Sequence, residues 1–416
     1  MLTQFEARLA HLSTPLRVQL PSGQQLGPND APVQLTVHSA LSLPALLDGQ
    51  IGTLASAVVE GQVSVQGHMR DVMAIAAELL NEDPRTPGPG RWLNAMGKMR
   101  SMALHTLARD AQQIQFHYDI SDDFYALWLD PLRVYSCAYY REPGMSLAQA
   151  QEAKIDHICR KLKLQQGERL LDIGCGWGGL ISWAAKHYGV TAKGITLSQN
   201  QHRYVTELIA REGLQGQVKV ELQDYRKVPD EPFDKISSVG MFEHVGRANL
   251  PEYFRAVRQL LRPGGLALIH GITAGGVEHT ELGAGMGDFI SRYIFPGGEL
   301  MHVSAVLHDM ALSGLEMVDT ENLRPHYART LWAWSDALEA QLPEALKALQ
   351  QRQTPEQAER SLRAYRLYLA GCAMGFERGW MGLHQMLACA PDGQLGTGAL
   401  RGAQSSYPFQ RDYMYR

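Results

Sequence analysis

LDIGCGWGG (Leu171–Gly179) is the stretch that decides the fold. The run Arg169–Ile173 before it reads as a buried strand, and Leu180–Tyr188 after it reads as a helix. Gly174, Gly176 and Gly178 let the backbone turn sharply and approach a ligand closely. The start of the following helix offers free N–H groups to negative charge. Asp172 stands just before the first glycine, where a carboxylate serves the amino-acid end of a methionine-derived cofactor. The next strand runs into GITLSQNQ (Gly194–Gln201), with no acidic residue at its tip. A dinucleotide fold usually needs an Asp or Glu about 20 residues on to hold the ribose hydroxyls. That work falls here to Thr196 and Gln201, and NAD is disfavoured.

Outward from this turn, helices alternate with strands. A helix over Ser146–Leu164 precedes it. After it come a strand at Thr191–Thr196, a helix at Ser198–Glu212, strands at Val218–Leu222 and Lys235–Val239, a helix at Pro251–Leu261 and a strand at Gly265–His270. Strands spaced by helices imply right-handed crossovers and a parallel, doubly wound α/β sheet. Ligands in such sheets sit beyond the carboxyl ends of the strands. Residues 1–83 form a separate, small α+β region, with strand-like runs at Leu16–Leu20, Val33–Val37 and Val58–Val65 and a helix at Met69–Leu80. PRTPGPGR (Pro84–Arg91) is a linker, because its prolines forbid helix or central strand. The expected domains are therefore 1–83, a linker and basic helix over 84–110 (Trp92–Arg109), a catalytic domain over 111–390, and a tail over 391–416. The basic helix suits either an anionic bilayer or the surface of the next domain.

Composition narrows the class. The chain has 416 residues, 45% hydrophobic and 20% charged, enough to bury a large core. A formal charge of −4 gives no global argument for nucleic acid. No apolar run has spanning length, and MLTQFEARLAHL lacks the pattern of a signal peptide. Cys137, Cys159, Cys175, Cys372 and Cys389 are scattered without a CxxC pair, which reads as reduced thiols in a cytoplasmic protein and no zinc site.

HYDISDDFYALWLD (117–130), YSCAYY (135–140), LLDIGCGWGG (170–179), GITLSQNQ (194–201), MFEHVG (241–246) and LIHGI (268–272) occur in this order. Together they resemble the cyclopropane-fatty-acyl-phospholipid synthase family, which includes the mycolic acid cyclopropane synthases. The resemblance spans about residues 110 to 390. The N-terminal region is more weakly similar to the extra domain of the bacterial phospholipid enzymes, implicated in lipid handling and dimerisation. The resemblance implies a Rossmann-like class I S-adenosylmethionine methyltransferase fold. It implies that the cofactor lies along Tyr135, Ser136, Gly174, Gly176, Thr196, Leu197 and Gln201, with the adenine near Asp224 and Tyr225. The mycolic enzymes commonly have Trp then Glu where this chain has Tyr225-Arg226.

The implied activity adds a methylene unit to the cis double bond of an unsaturated phospholipid acyl chain. An alkene is a poor nucleophile, so the donor must be a strong electrophile such as a sulfonium. Attack leaves a carbocation, and the ring closes when a base removes a proton from the new methyl group. Aromatic faces stabilise a cation by roughly 0.5–2 kcal/mol each. Candidates are Tyr135, Tyr139, Phe242, Tyr293, Phe295 and Tyr327. The resemblance implies bicarbonate as the base, held by the Cys137 backbone region, Glu243, His270, the Ile272 N–H and Tyr327. A hydrogen-bonded Glu243–His270 relay is expected to receive the proton. His117, Asp119 and Asp122 are expected to cap a lid helix. MGDFISRYIFP (Met286–Pro296) is expected to line an acyl channel, an ordinary core helix being the alternative.

A phospholipid substrate implies a cytoplasmic enzyme associated peripherally with the inner membrane face. One rival keeps fold and cofactor but yields a methyl-branched or methylene product. A rival of another class is a non-catalytic lipid-binding protein.

Overall fold

A computed structural model describes residues 2–86, 122–229, 232–277, 282–393 and 397–415. The expected basic helix at Trp92–Arg109, His117 and Asp119 lie outside the described residues. Compactness divides the chain into two units that do not follow the linear boundaries expected. One unit comprises Met1–Arg91, Thr280–Pro296 and Ala328–Trp380, and the other comprises Trp92–His279, Gly297–Tyr327 and Met381–Arg416.

The first unit carries a four-stranded sheet of β1 (Leu16–Gln19), β2 (Gln25–Leu26), β3 (Val33–Val37) and β4 (Val63–Gln66), in the order β2-β1-β3-β4. The expected strand Val58–Val65 is split. Val59 ends the helix Ile51–Val59, and Gly61, at φ +75°, turns the chain into β4. The helices Ile51–Val59 and Met69–Glu78 pack on Pro355–Glu377, which opens with a reciprocal Thr354–Gln357 cap. Met286–Tyr293, expected to line an acyl channel or to be an ordinary core helix, is docked on Ile51–Val59. Its approach is so close that a Cβ on Gly52 would lie 2.1 Å from the Gly285 carbonyl carbon. Tyr293 Oη donates to Glu60 Oε1 at 2.7 Å, and Arg292 and Arg360 reach the same oxygen at 3.3 and 2.6 Å. Phe295 packs edge-on to Tyr368 in this unit.

The second unit holds a seven-stranded sheet. Its strands are β5 (Arg169–Ile173), β6 (Thr191–Thr196), β7 (Val218–Leu222), β8 (Phe233–Val239), β9 (Leu261–Ala274), β10 (Glu316–Asn322) and β11 (Met381–Cys389), in the order β10-β11-β9-β8-β5-β6-β7. Strands β5 to β9 pair in parallel, as expected, but β11 runs antiparallel to both β9 and β10. The sheet is therefore mixed and not wholly parallel.

Successive residues face opposite sides of a strand. Leu170, Leu266 and Leu268 enter a core with the helices Leu147–Lys161, Gly179–Tyr188 and Gln199–Arg211. Leu171, Ala267 and Ile269 enter a second core with the helices Leu250–Leu260 and Val303–Leu312. The sheet is thus wound on both faces. The 391–416 segment contributes Tyr407 and Met414 to the first of these cores.

Candidate active site

The glycine turn forms as its sequence dictates. Gly174, Gly176 and Gly178 all have positive φ, and the N–H groups of Gly174 and Cys175 both donate to Ile195 O at 3.0 Å. Gly178 begins the next helix, where a Cβ would meet Val205 at 2.9 Å. A cleft opens above the carboxyl ends of β5 and β6. Tyr135, Ser136, Asp172, Gly174 and Gly176 line one part of it; Thr196, Leu197, Gln201, Asp224 and Tyr225 line the rest. Gly178 packs beneath the turn and does not line the cleft.

Hydrogen bonds set each wall. Thr196 Oγ1 donates to Gln201 Oε1 at 2.8 Å and accepts from Ser198 N at 3.1 Å, pairing the two residues expected at the ribose. The Asp172 carboxylate accepts from Ser237 Oγ at 2.7 Å. Burial pushes Asp172 up to about 6, against the lowering pull of Ser237 and Lys154. Asp224 is clamped by its neighbour: Arg226 Nε and a terminal guanidinium nitrogen reach its two oxygens at 2.8 and 2.7 Å. The residue that departs from the mycolic pattern thus grips the expected adenine-side carboxylate.

The Tyr135–Ser136 wall is held from both ends. Asp130 accepts from the N–H groups of Leu132 and Val134, each at 2.9 Å. From the helix Leu147–Lys161, Gln151 Nε2 donates to Ser136 O at 2.8 Å, and Lys154 Nζ to Ser136 Oγ at 2.8 Å.

None of the five expected catalytic residues lines this cleft, although Ser136 and His244, which do, adjoin Cys137 and Glu243 in the chain. Four of the five are linked by hydrogen bonds and strand pairing. Glu243 Oε1 accepts from Ile272 N at 2.6 Å. Ile272 pairs with Leu383 of β11, whose carbonyl accepts from Leu323 N at 2.8 Å. The Leu323 carbonyl in turn accepts from Tyr327 N at 3.1 Å and from the Cys137 thiol at 3.8 Å.

His270 stands apart from that set. It shares its strand face with Leu266 and Leu268, towards the helix Leu147–Lys161. Gly271 faces the other way, and a Cβ there would meet Phe242 at 2.3 Å and Glu243 Oε1 at 2.7 Å. Neither ring nitrogen of His270 has a hydrogen-bond partner among the described residues. The expected Glu243–His270 hydrogen bond is therefore not formed, because the two side chains reach β9 from opposite faces.

Among the expected catalytic residues, both ring nitrogens of His270 and Glu243 Oε2 are buried without a hydrogen-bond partner among the described residues. Such groups are rare in folded proteins and mark positions that a small polar species completes. Burial raises Glu243 to about 7, only partly offset by the Ile272 bond. Burial lowers His270 well below its usual value, with Lys154 and Lys161 adding to the effect.

Among the aromatic candidates, Tyr135 packs on Tyr125 and Trp128 at 5.5 and 5.3 Å. Tyr139 is sandwiched between His157 and His326 at 4.3 and 4.9 Å. Tyr293 and Phe295 belong to the first unit. Asp122 lies 3.5 Å from Arg203. Sequence reading missed Lys154, Gln151, Arg226, Gly271 and Leu323. The available signal was the stripe Gln151, Lys154, His157 and Lys161, at helical spacing, which reads as a solvated face but is buried throughout.

The sheet, with its glycine turn and open cleft, defines a Rossmann-like S-adenosylmethionine-dependent methyltransferase. The chain matches the mycolic acid cyclopropane synthetase family over residues 105–386 and belongs to it. It is 42% identical to a probable fatty acid methyltransferase of Pseudomonas putida, over 100% of both chains. The solved cyclopropane synthase MmaA2 of Mycobacterium tuberculosis is 38% identical, with a TM-score of 0.62, covering 67% of this chain and 98% of that one. The mycolic acid cyclopropane synthase CmaA1, complexed with SAH and CTAB, is 36% identical with a TM-score of 0.62, covering 69% and 99%.

Proposed function

We propose that the chain converts the cis double bond of an unsaturated phospholipid acyl chain into a cyclopropane, using S-adenosylmethionine and bicarbonate. The observation that carries this is the pairing of a glycine-turn cleft with neighbouring buried polar atoms that lack partners, Glu243 Oε2 and the His270 ring. The cofactor reading is supported by the SAH held in the related CmaA1 structure, and a long-chain substrate by the CTAB found with it.

The residues fit both groups. Tyr135, Ser136, Asp172, Thr196 and Gln201 would hold the donor; the linked set Cys137, Glu243, Ile272 and Tyr327 would hold the anion, with His270 on the other face of β9 outside that set. Bound there, S-adenosylmethionine supplies an electrophilic methyl group and bicarbonate a small exchangeable base. Asp172, raised towards neutrality by burial, ionises readily once an ammonium lies beside it. Glu243, close to neutral in its titration, is suited to take or give a proton at physiological pH. Its fixed bond to Ile272 aims its second oxygen. Phospholipid acyl chains lie in bilayers, so the proposal includes a visit to the membrane face by a cytoplasmic protein. Among the described residues no helix is long and apolar enough to cross a membrane.

A second reading follows from the full-length relative named as a fatty acid methyltransferase: the same site yields a methyl-branched or methylene acyl group. Purified protein, methyl-deuterated S-adenosylmethionine and cis-unsaturated phospholipid vesicles separate the two. A ring retains CD2 and resists hydrogenation, a methylene product retains CD2 but is hydrogenated, and a methyl branch retains CD3. Turnover only on free fatty acids would move the substrate class. Binding of lipid with no transfer would leave a lipid-binding protein.

A further inference from the structure

The helix Leu147–Lys161 carries one buried cation that neither core packing nor the expected cofactor contacts explain. Lys154 is 3% exposed, and lysines are almost never this buried unless paired. Its only hydrogen bond among the described residues is to the neutral Ser136 hydroxyl at 2.8 Å, and it makes no ion pair with a described carboxylate. Two of its three N–H donors therefore remain. Because Ser136 Oγ accepts from Lys154, its own proton must point elsewhere, and Ser136 lines the cleft. Asp172 lines the same cleft, with one carboxylate oxygen held by Ser237.

An acid and an ammonium–hydroxyl pair on one wall are the complement of an amino-acid zwitterion. We propose that Lys154, directly and through Ser136, binds the α-carboxylate of the donor's methionyl end, while Asp172 takes its α-ammonium. Lys154 thereby makes the site select the intact amino acid over a bare adenosyl thioether. This rests on the S-adenosylmethionine reading and extends it to a residue that reading does not use.

The surroundings tune the pair. Burial holds Lys154 down to about 8, against the raising influence of Cys137, Asp130, Asp172 and, on its own helix, Cys159. Among the described residues His270 also registers its charge. As pH rises through about 8 the ammonium is lost, and the carboxylate contact weakens with it.

The test is calorimetric binding of S-adenosylhomocysteine and of 5′-methylthioadenosine, which lacks the amino acid. Lys154→Met should weaken the first ligand by about tenfold or more, as for loss of a charged hydrogen bond, and leave the second within about twofold. Lys154→Arg should restore most of the loss. The wild-type preference for the amino-acid ligand should shrink as pH rises through about 8, whereas that of Lys154→Arg should not. Equal weakening of both ligands, or of neither, overturns the proposal. Failure of the wild type to bind S-adenosylhomocysteine would instead sink the donor reading. Should Lys154→Met not fold, Ser136→Ala carries the same comparison: selective loss supports the assignment and uniform loss refutes it.

Discussion

At the scale of single residues, Glu243 combines burial, one fixed hydrogen bond and one unsatisfied oxygen. Its proton affinity is raised in the fold, so the native state binds more protons than the unfolded chain between the ordinary carboxylate value, 4.5, and about 7. Stability therefore falls as pH rises through that window. Glu243→Gln keeps the acceptor for Ile272 and removes the buried charge. It should raise stability above neutrality by about 2–3 kcal/mol, read by urea unfolding at two pH values. Turnover should fall by about 100-fold or more while S-adenosylhomocysteine affinity is kept. Loss of ligand binding, or unchanged turnover, would count against the assigned role.

At the scale of elements, β10 is fastened to the helix Leu147–Lys161 by a buried charge cluster. Lys161 Nζ lies 2.6 Å from Glu321 and 3.5 Å from Asp319, and His157 Nε2 lies 2.8 Å from Glu321. Burial alone would raise Glu321, yet His157 and Lys161 hold it down to about 2. Its contribution is complete above the ordinary carboxylate range and is lost as pH falls through that range towards about 2. Lys161→Met leaves the acid with His157 as its remaining partner in the cluster and should cost about 3–5 kcal/mol, with acid unfolding moved to higher pH. A change below about 1 kcal/mol would show the cluster to be inert.

The legibility of these elements follows from their surroundings. Arg169–Ile173, Thr191–Thr196 and Val218–Leu222 appear with the bounds expected, since short buried strands closed by turns leave a local signature. Strand β10, EMVDTEN, is too acidic to read as a strand, and its charges make sense only once Lys161 and His157 face them. Strand β11, MGLHQMLAC, follows a helix of 23 residues, and nothing local announces its reversal. In the site, the glycine turn and Glu243 were visible because their chemistry is local. The burial of Lys154 and the separation of His270 from Glu243 depend on which strand face meets which helix.

At the scale of the whole molecule, similarity and compactness divide the chain differently. The MmaA2 structure corresponds to 67% of this chain, whereas the Pseudomonas putida relative aligns with all of it. Two segments inside the family match, Thr280–Pro296 and Ala328–Trp380, belong to the same unit as the N-terminal residues. Removing residues 1–83 would strip the helices Ile51–Val59 and Met69–Glu78 from Pro355–Glu377, baring the face on which Arg363 and Gly371 meet Val59 and Met73. Such a truncation should express as aggregates, judged by soluble yield and light scattering. A soluble, active truncation would show that this face tolerates water.

Strand β11 has a bearing on how the chain is made. It lies between β9 and β10 but is read from the messenger after both. Until residues 381–389 leave the ribosome, the 266–274 flank of β9 has no neighbour on that side. The nascent polypeptide thus carries an unfinished sheet from the completion of β9 until β11 emerges, a state in which chaperone capacity bears on yield.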